Sequence, residues 1–158
     1  MMFQDDLTLR SARSEEHELL TDLCIRSKAI WGYDEQFMEH CRAELTLGET
    51  ACTSPDVGVA ERLGEVLGIA EISINEDSCF LEKLFVDPDQ QSAGVGKTLF
   101  DWAKSRATSL NQSELIIEAD PGAVGFYRKM GATMAGKTAS QSIPGRMLPK
   151  LIMPLNLL

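Results

Sequence analysis

Midway through the chain, in LFVDPDQQSAGVGKTLF at residues 84–100, the spacing of apolar residues changes from two to three or four. The segment CFLEKLFV reads as a strand that ends at Val86 or Asp87, because Pro88 restricts its predecessor and cannot continue a ladder. Beyond it, Val95, Leu99, Ala103, Ala107 and Leu110 recur at helical intervals, so QQSAGVG is the entry to a helix. A strand, a tight glycine turn and a helix in that order present free amides and the positive end of a helix dipole to an anion.

The flanking segments supply the rest of a mixed architecture. LTLRSA, Leu7 to Ala12, alternates as a first strand. Ser14, followed by Glu15 and Glu16, marks a helix start, and Leu19, Leu20, Leu23 and Cys24 form its apolar stripe. A second helix begins at Asp34 and presents Phe37 or Met38, Cys41 and Leu45 on one side; the turn AIWGYD between the two carries Trp31 and Tyr33. TACTSPDVG, residues 50–58, reads as a loop into strands. A hairpin around Leu63 and Gly64, an extended run from Val66 to Ile74 and a polar turn at Asn75 to Asp77 predict three consecutive antiparallel strands. ELIIEA, Glu114 to Ala119, is a further strand, and DPGAVGFYRKMG a short helix with Asp120 as cap, Pro121 at its first position and Gly131 at its end. MLPKLIMPL is the last strand, with Pro149 and Pro154 at its margins.

The letters GKT invite comparison with a triphosphate loop, but GxxxxGK[ST] needs a glycine where Gln91 stands. A dinucleotide fingerprint fails as well, since Leu99 replaces the third small residue. By itself a glycine pair is more often a tight strand-to-helix connection that holds no ligand. The 158 residues suit one domain, 1–158, and 15 Lys and Arg against 24 Asp and Glu give a formal charge of −9. That surface disfavours nucleic acid and anionic membranes and mildly favours a cationic or amine-bearing substrate. The four cysteines are scattered as in a reducing compartment, and MMFQDDLTLR carries no basic region followed by an apolar run, so a cytoplasmic protein is expected. No His, Cys or carboxylate cluster has metal-ligand spacing.

Taken with its surroundings, the turn Gln91-Ser92-Ala93-Gly94-Val95-Gly96 after LFVDP resembles the cofactor motif of the GNAT superfamily, the GCN5-related N-acetyltransferases. ELIIEAD followed by AVGFYRKMGA is similar to that family's fifth strand and fourth helix, and VAERLGEVLGIAEI to its second and third strands. The match runs in order over most of residues 7–155. It implies an α/β (α+β) fold, with a central, mostly antiparallel, splayed sheet flanked by about four helices, and acetyl-CoA as acyl donor.

The resemblance also implies site residues. Backbone amides of Gln91, Ser92, Ala93, Gly94, Val95, Gly96 and Lys97 would hold the CoA pyrophosphate, and the backbone of Leu84, Phe85 and Val86 would meet the pantetheine and thioester. Tyr127 would donate a proton to the departing thiolate, with Phe126 beside it at the cofactor as packing. Glu82, or else Glu71, would take the proton from the incoming amine; their spacing does not choose between them. Asp120 is among the cofactor-binding positions the resemblance implies; it stands where many relatives carry an asparagine that helps hold the pantetheine region, and as an aspartate it can cap the helix but cannot donate as asparagine does. Trp31 and Tyr33 are candidates for an aromatic wall around the acceptor. The function expected is acetyl transfer to a primary amine, small-molecule or peptide, with a catalytically weak CoA-binding regulatory or assembly protein as the alternative. Association as a homodimer through the terminal strands is open, as is closure of the chain's own sheet by LPKLIMPL.

Overall fold

The computed structural model describes residues 7–90 and 94–155. Seven strands form one sheet: β1 (Leu7–Arg10), β2 (Val57–Arg62), β3 (Glu65–Asn75), β4 (Ser78–Val86), β5 (Glu114–Glu118), β6 (Thr133–Ala139) and β7 (Met147–Pro154). Their order is β1-β2-β3-β4-β5-β7-β6. Every pairing is antiparallel except β4 with β5. The α-helices are α1 (His17–Ala29), α2 (Glu35–Leu45), the single turn α3 (Glu49–Cys52), α4 (Val95–Ser109) and the short α5 (Val124–Lys129).

Alternation along the central strands divides the core. Val57, Val59 and Ile69 pack with Leu20, Leu23, Cys41 and Leu45 from α1 and α2. Ala60 and Ala70 point the other way, toward Val95 and Leu99 of α4. Further along α4, Phe100, Ala103 and Ala107 meet Leu115 and Ile117 of β5 and Tyr127 of α5. Both faces of the sheet are therefore covered, and the hairpin expected at Leu63 and Gly64 turns through two positive φ angles, 52° and 84°.

One irregularity positions everything that follows. Glu71 pairs with Lys83 and Ile72 with Leu81, which leaves Glu82 as the extra residue of a bulge in β4. A bulge bends and twists its strand. On its other side β4 keeps a single registered pair with β5, Phe80 with Ile116, and beyond that point the two strands diverge.

Several local expectations change. The first strand ends at Arg10, and a 3-10 turn over Ser14–Glu16 precedes α1. The cap there is not the Ser14 hydroxyl: Glu16 accepts from the Arg13 amide at 2.9 Å and is itself held by Arg10 at 2.7 Å. Leu19, placed in the apolar stripe by spacing, is 51% exposed, because the buried arc of α1 is narrower than the run of leucines. Residues 50–58 are not all loop, since α3 and the first residues of β2 lie within them. Pro149 sits inside β7, not at its margin, where a register shift in the β6 pairing accommodates it.

The approach of α4 to β3 is close. A Cβ built on Gly68 would stand 2.7 Å from Leu99 Cδ1 and 2.8 Å from the Phe85 carbonyl oxygen. Gly68→Ala is expected to destabilise the protein by about 1–3 kcal/mol in urea titration, the usual cost of overpacking. Gly125→Ala, where nothing lies within 4 Å of the new methyl, is expected to gain up to about 1 kcal/mol in the same assay.

Candidate active site

Where β4 and β5 part, a cleft of about 400 Å³ opens. Beside it, the first turn of α4 meets α5 and the end of β4. Gly94 caps α4 at φ +91° with no side chain bonded over the helix start, so the amides of Val95, Gly96 and Lys97 project from the first turn. A Cβ on Gly96 would lie 3.4 Å from the Phe126 ring and 3.9 Å from Val86, which places this turn between the end of β4 and α5. Gln91, Ser92 and Ala93 fall outside the described residues. Lys97 makes an ion pair with Asp101 at 2.9 Å and has a side chain 66% exposed, so its charge is spent along the helix surface.

Leu84 and Phe85 line the cleft, whereas Val86 stands at its edge beside Gly96. On one side these residues pair with Gly68, Ile69 and Ala70. The other edge of β4, past Phe80, has left β5 and offers its backbone to an extended, amide-bearing chain.

Tyr127 lies at the floor, 7% exposed, and lines the cleft. Edge-to-face contacts with Phe100 at 5.6 Å and Phe126 at 5.2 Å fix its ring. Among the described residues no hydrogen bond engages its hydroxyl, and no fully buried side-chain oxygen or nitrogen is left unpaired, so that hydroxyl meets the cleft. Burial pushes the phenol well above its ordinary pKa, which keeps it a proton donor.

The two candidate bases separate. Glu82, thrown out by the bulge, lines the cleft and accepts from Ser73 Oγ at 2.6 Å. Glu71 makes an ion pair with Lys83 at 3.0 Å and is not part of the lining. A third carboxylate, which the sequence reading passed over as the end of a strand, enters instead. Glu118 lies two residues beyond Ile116, as Glu82 lies two beyond Phe80, and it lines the same cleft. Burial, reinforced by the neighbouring charge of Glu82, raises its pKa above the ordinary carboxylate value. The histidines stay apart, His17 near Glu49 at 3.7 Å and His40 on the Gln36 carbonyl at 2.8 Å.

The roof is a clasp of three segments. Trp31 lies against the β5–α5 turn so closely that a Cβ on Gly122 would come within 2.6 Å of its ring. Tyr33 stacks on Phe37 with ring centres 3.9 Å apart and donates to Asp120 Oδ2 at 2.5 Å; it stands behind the lining rather than in it. Asp120 Oδ1 accepts from the Gly122 amide at 3.0 Å, as the expected cap. Two cations that the sequence reading did not single out complete the group. Arg146, from the β6–β7 loop, donates to the Tyr33 oxygen at 2.8 Å and lies 3.8 Å from Asp120; Lys28, in the last turn of α1, lies 3.7 Å from the same carboxylate. Asp120 thus sits among the side chains of the clasp. Basic residues in a helix's last turn and in a Gly-containing loop are common on surfaces, so nothing in their local spacing marks them.

Among the described residues no helix is long and apolar enough to cross a membrane, and no group of His, Cys, Asp and Glu could hold a metal ion.

Comparison with known proteins agrees with this geometry. A crystal structure from Rhodopseudomonas palustris, described as a GCN5-related N-acetyltransferase, superposes with a TM-score of 0.79 at 21% identity, covering 98% of this chain and 99% of that one. The PaiA N-acetyltransferase of Thermoplasma acidophilum, solved with coenzyme A, gives 0.72 at 17% identity over 94% of this chain and 98% of its own. The peptidyl-lysine N-acetyltransferase YjaB of Salmonella typhimurium is 38% identical over 58 residues, which are 37% of this chain and 39% of that protein. The match therefore spans about two fifths of that relative's length. The family model described as "Acetyltransferase (GNAT) domain" matches residues 24–141, well over half of the chain, and the chain belongs to that family.

Proposed function

We propose that this protein moves an acetyl group from acetyl-CoA to a primary amine by direct attack of the amine on the thioester. The observation that carries the proposal is Tyr127: a proton-donating hydroxyl on a fixed, buried ring, opening into the cleft where β4 and β5 part. The residues present suit the donor. The uncapped first turn of α4 offers amides to a pyrophosphate, and the open edge of β4 offers backbone groups to the pantetheine amides. Bound acetyl-CoA supplies the activated acyl carbon.

The chain's own residues then manage two protons. The amine nitrogen forms the new C–N bond as the C–S bond breaks, and Tyr127 gives its proton to the sulfur. The ammonium proton released by the acceptor passes to the Glu118–Glu82 pair, in which Glu118 is the member made more basic by burial and by the adjacent carboxylate. Glu71 holds Lys83 in place and takes no part. Cys41 lines the cleft, but burial raises its thiol pKa and disfavours the thiolate that an acyl-enzyme would need. Trp31 shields the reacting atoms from above.

The decisive measurement is an acyl-transfer screen against free amines and peptides, read by mass spectrometry for a gain of one acetyl group. Binding of acetyl-CoA without any acetylated product would overturn the proposal in favour of a regulatory role. Tyr127→Phe is expected to lower kcat by about 10²–10⁴-fold with acetyl-CoA affinity nearly unchanged; unchanged turnover removes Tyr127 as the acid.

Activity should fall as pH drops through the raised pKa of Glu118, because the base must be unprotonated. Glu82→Gln removes the like charge, so the acidic limb of kcat/KM should move to lower pH. Glu118→Gln should abolish that limb and lower kcat/KM by about tenfold or more. The amine's own titration is common to all three proteins, so the differences between them isolate the carboxylates.

A further inference from the structure

The roof of the cleft carries an excess of positive charge in a protein whose net charge is −9. Lys28 and Arg146 share a single carboxylate, Asp120, which leaves one formal positive charge on the cluster. None of the three groups is free in solvent: their side chains are 15%, 19% and 12% exposed. Lys28 and Arg146 both line the cleft.

The donors of these cations are largely uncommitted. Arg146 has five N–H groups, and among the described residues it places one hydrogen bond, to the Tyr33 oxygen at 2.8 Å. Its guanidinium carbon lies 5.1 and 4.9 Å from the centres of the stacked Tyr33 and Phe37 rings, a contact that holds the group without consuming its donors. The Lys28 ammonium has three donors. Its nearest acidic oxygen, on Asp120, is 3.7 Å away, beyond hydrogen-bonding distance. Asp120 is itself occupied by the Tyr33 hydroxyl and the Gly122 amide. Glu44 lines the same cleft, while the ion pairs that Lys28 and Arg146 make among the described residues are both with Asp120. Two partly desolvated cations, oriented by packing and short of acceptors, form a receptor for an anionic group.

Resting on the transferase reading for the identity of the site, we propose that the acceptor is a small amine that also bears an anionic group, a carboxylate or a phosphate monoester, held by Lys28 and Arg146. The amine end lies toward Glu82 and Glu118 and the anionic end under the clasp. Asp120 sets the positive charge to one net unit and keeps the two cations from repelling each other.

The test is calorimetric binding in the presence of CoA, using paired probes: free amino acids against their carboxamides, and phosphoethanolamine against ethanolamine. In at least one pair the anionic member is expected to bind about tenfold or more tightly, the effect of a charge-assisted hydrogen bond; the pair that discriminates identifies carboxylate or phosphate. The ratio should fall toward one in the double variant Lys28→Gln, Arg146→Gln, and persist in Arg146→Lys. If the double variant loses its circular dichroism signal, Arg146→Gln alone should still reduce the ratio.

Equal affinity within every pair, absence of binding by all probes, or a preference that survives the variants would overturn the proposal. Acetyl transfer to both members of each pair at equal rates would overturn it while leaving the transferase reading intact. An anionic preference in binding without any acetylated product would do the reverse.

Discussion

The site depends on two strands that fail to stay together. β4 and β5 keep one registered pair, and the bulge at Glu82 bends β4 just past it. A continuous ladder there would close the sheet, satisfy the edge of β4 internally and leave no cleft. The divergence does three things at once: it exposes a strand edge, it moves Glu82 and Glu118 to the opening, and it admits the Tyr127 hydroxyl from the helix beneath. The cost of the unpaired edge is met by packing on both faces, where fully buried residues such as Ile69, Leu99, Phe100 and Leu115 hold the diverging strands from either side.

Electrostatics then divides the opening. The carboxylates of Glu82 and Glu118 stand on the sheet, and Lys28 and Arg146 hang from the roof. Burial is the dominant cause at two groups in the lining, raising both Tyr127 and Glu118. The same physical cause keeps the phenol protonated and makes the carboxylate more basic, because the phenol starts far above neutrality and the carboxyl far below it.

What the sequence disclosed follows the range of the interactions. Strand and helix periods, the stop at Pro88, the caps at Asp34 and Asp120 and the hairpin at Leu63 and Gly64 are set by residues within a few positions of one another, and they stand where spacing places them. The family motif pointed to the glycine turn and to Tyr127, which stand at the start of α4 and in the lining of the cleft. The roof was not legible in that way. Tyr33 meets Asp120 across 87 positions and Arg146 across 113, and no local pattern announces such a meeting. Glu118 was hidden for a different reason: its place in the lining comes from where β5 separates from β4, and nothing local to the strand Glu114 to Ala119 marks it. Leu19 shows the converse, since helical spacing counts apolar residues but does not say how wide an arc the neighbours cover.

The strand order also bears on when the protein becomes competent during its synthesis. β2, β3 and β4 are successive hairpins that pair with near neighbours, and α4 follows at once to cover them. β5 has one registered partner residue in β4 but five in β7, so it waits for a strand made some thirty residues later. At about 5–20 residues per second, the layer carrying the glycine turn can assemble before β5 is anchored. Ala119, next to Asp120, gains its hydrogen bond to the Pro149 carbonyl, and Arg146 reaches Tyr33, once β7 has docked. The edge of β4 and the start of α4 are therefore the older part of each molecule, and the clasp over the cleft is the last thing the nascent chain completes.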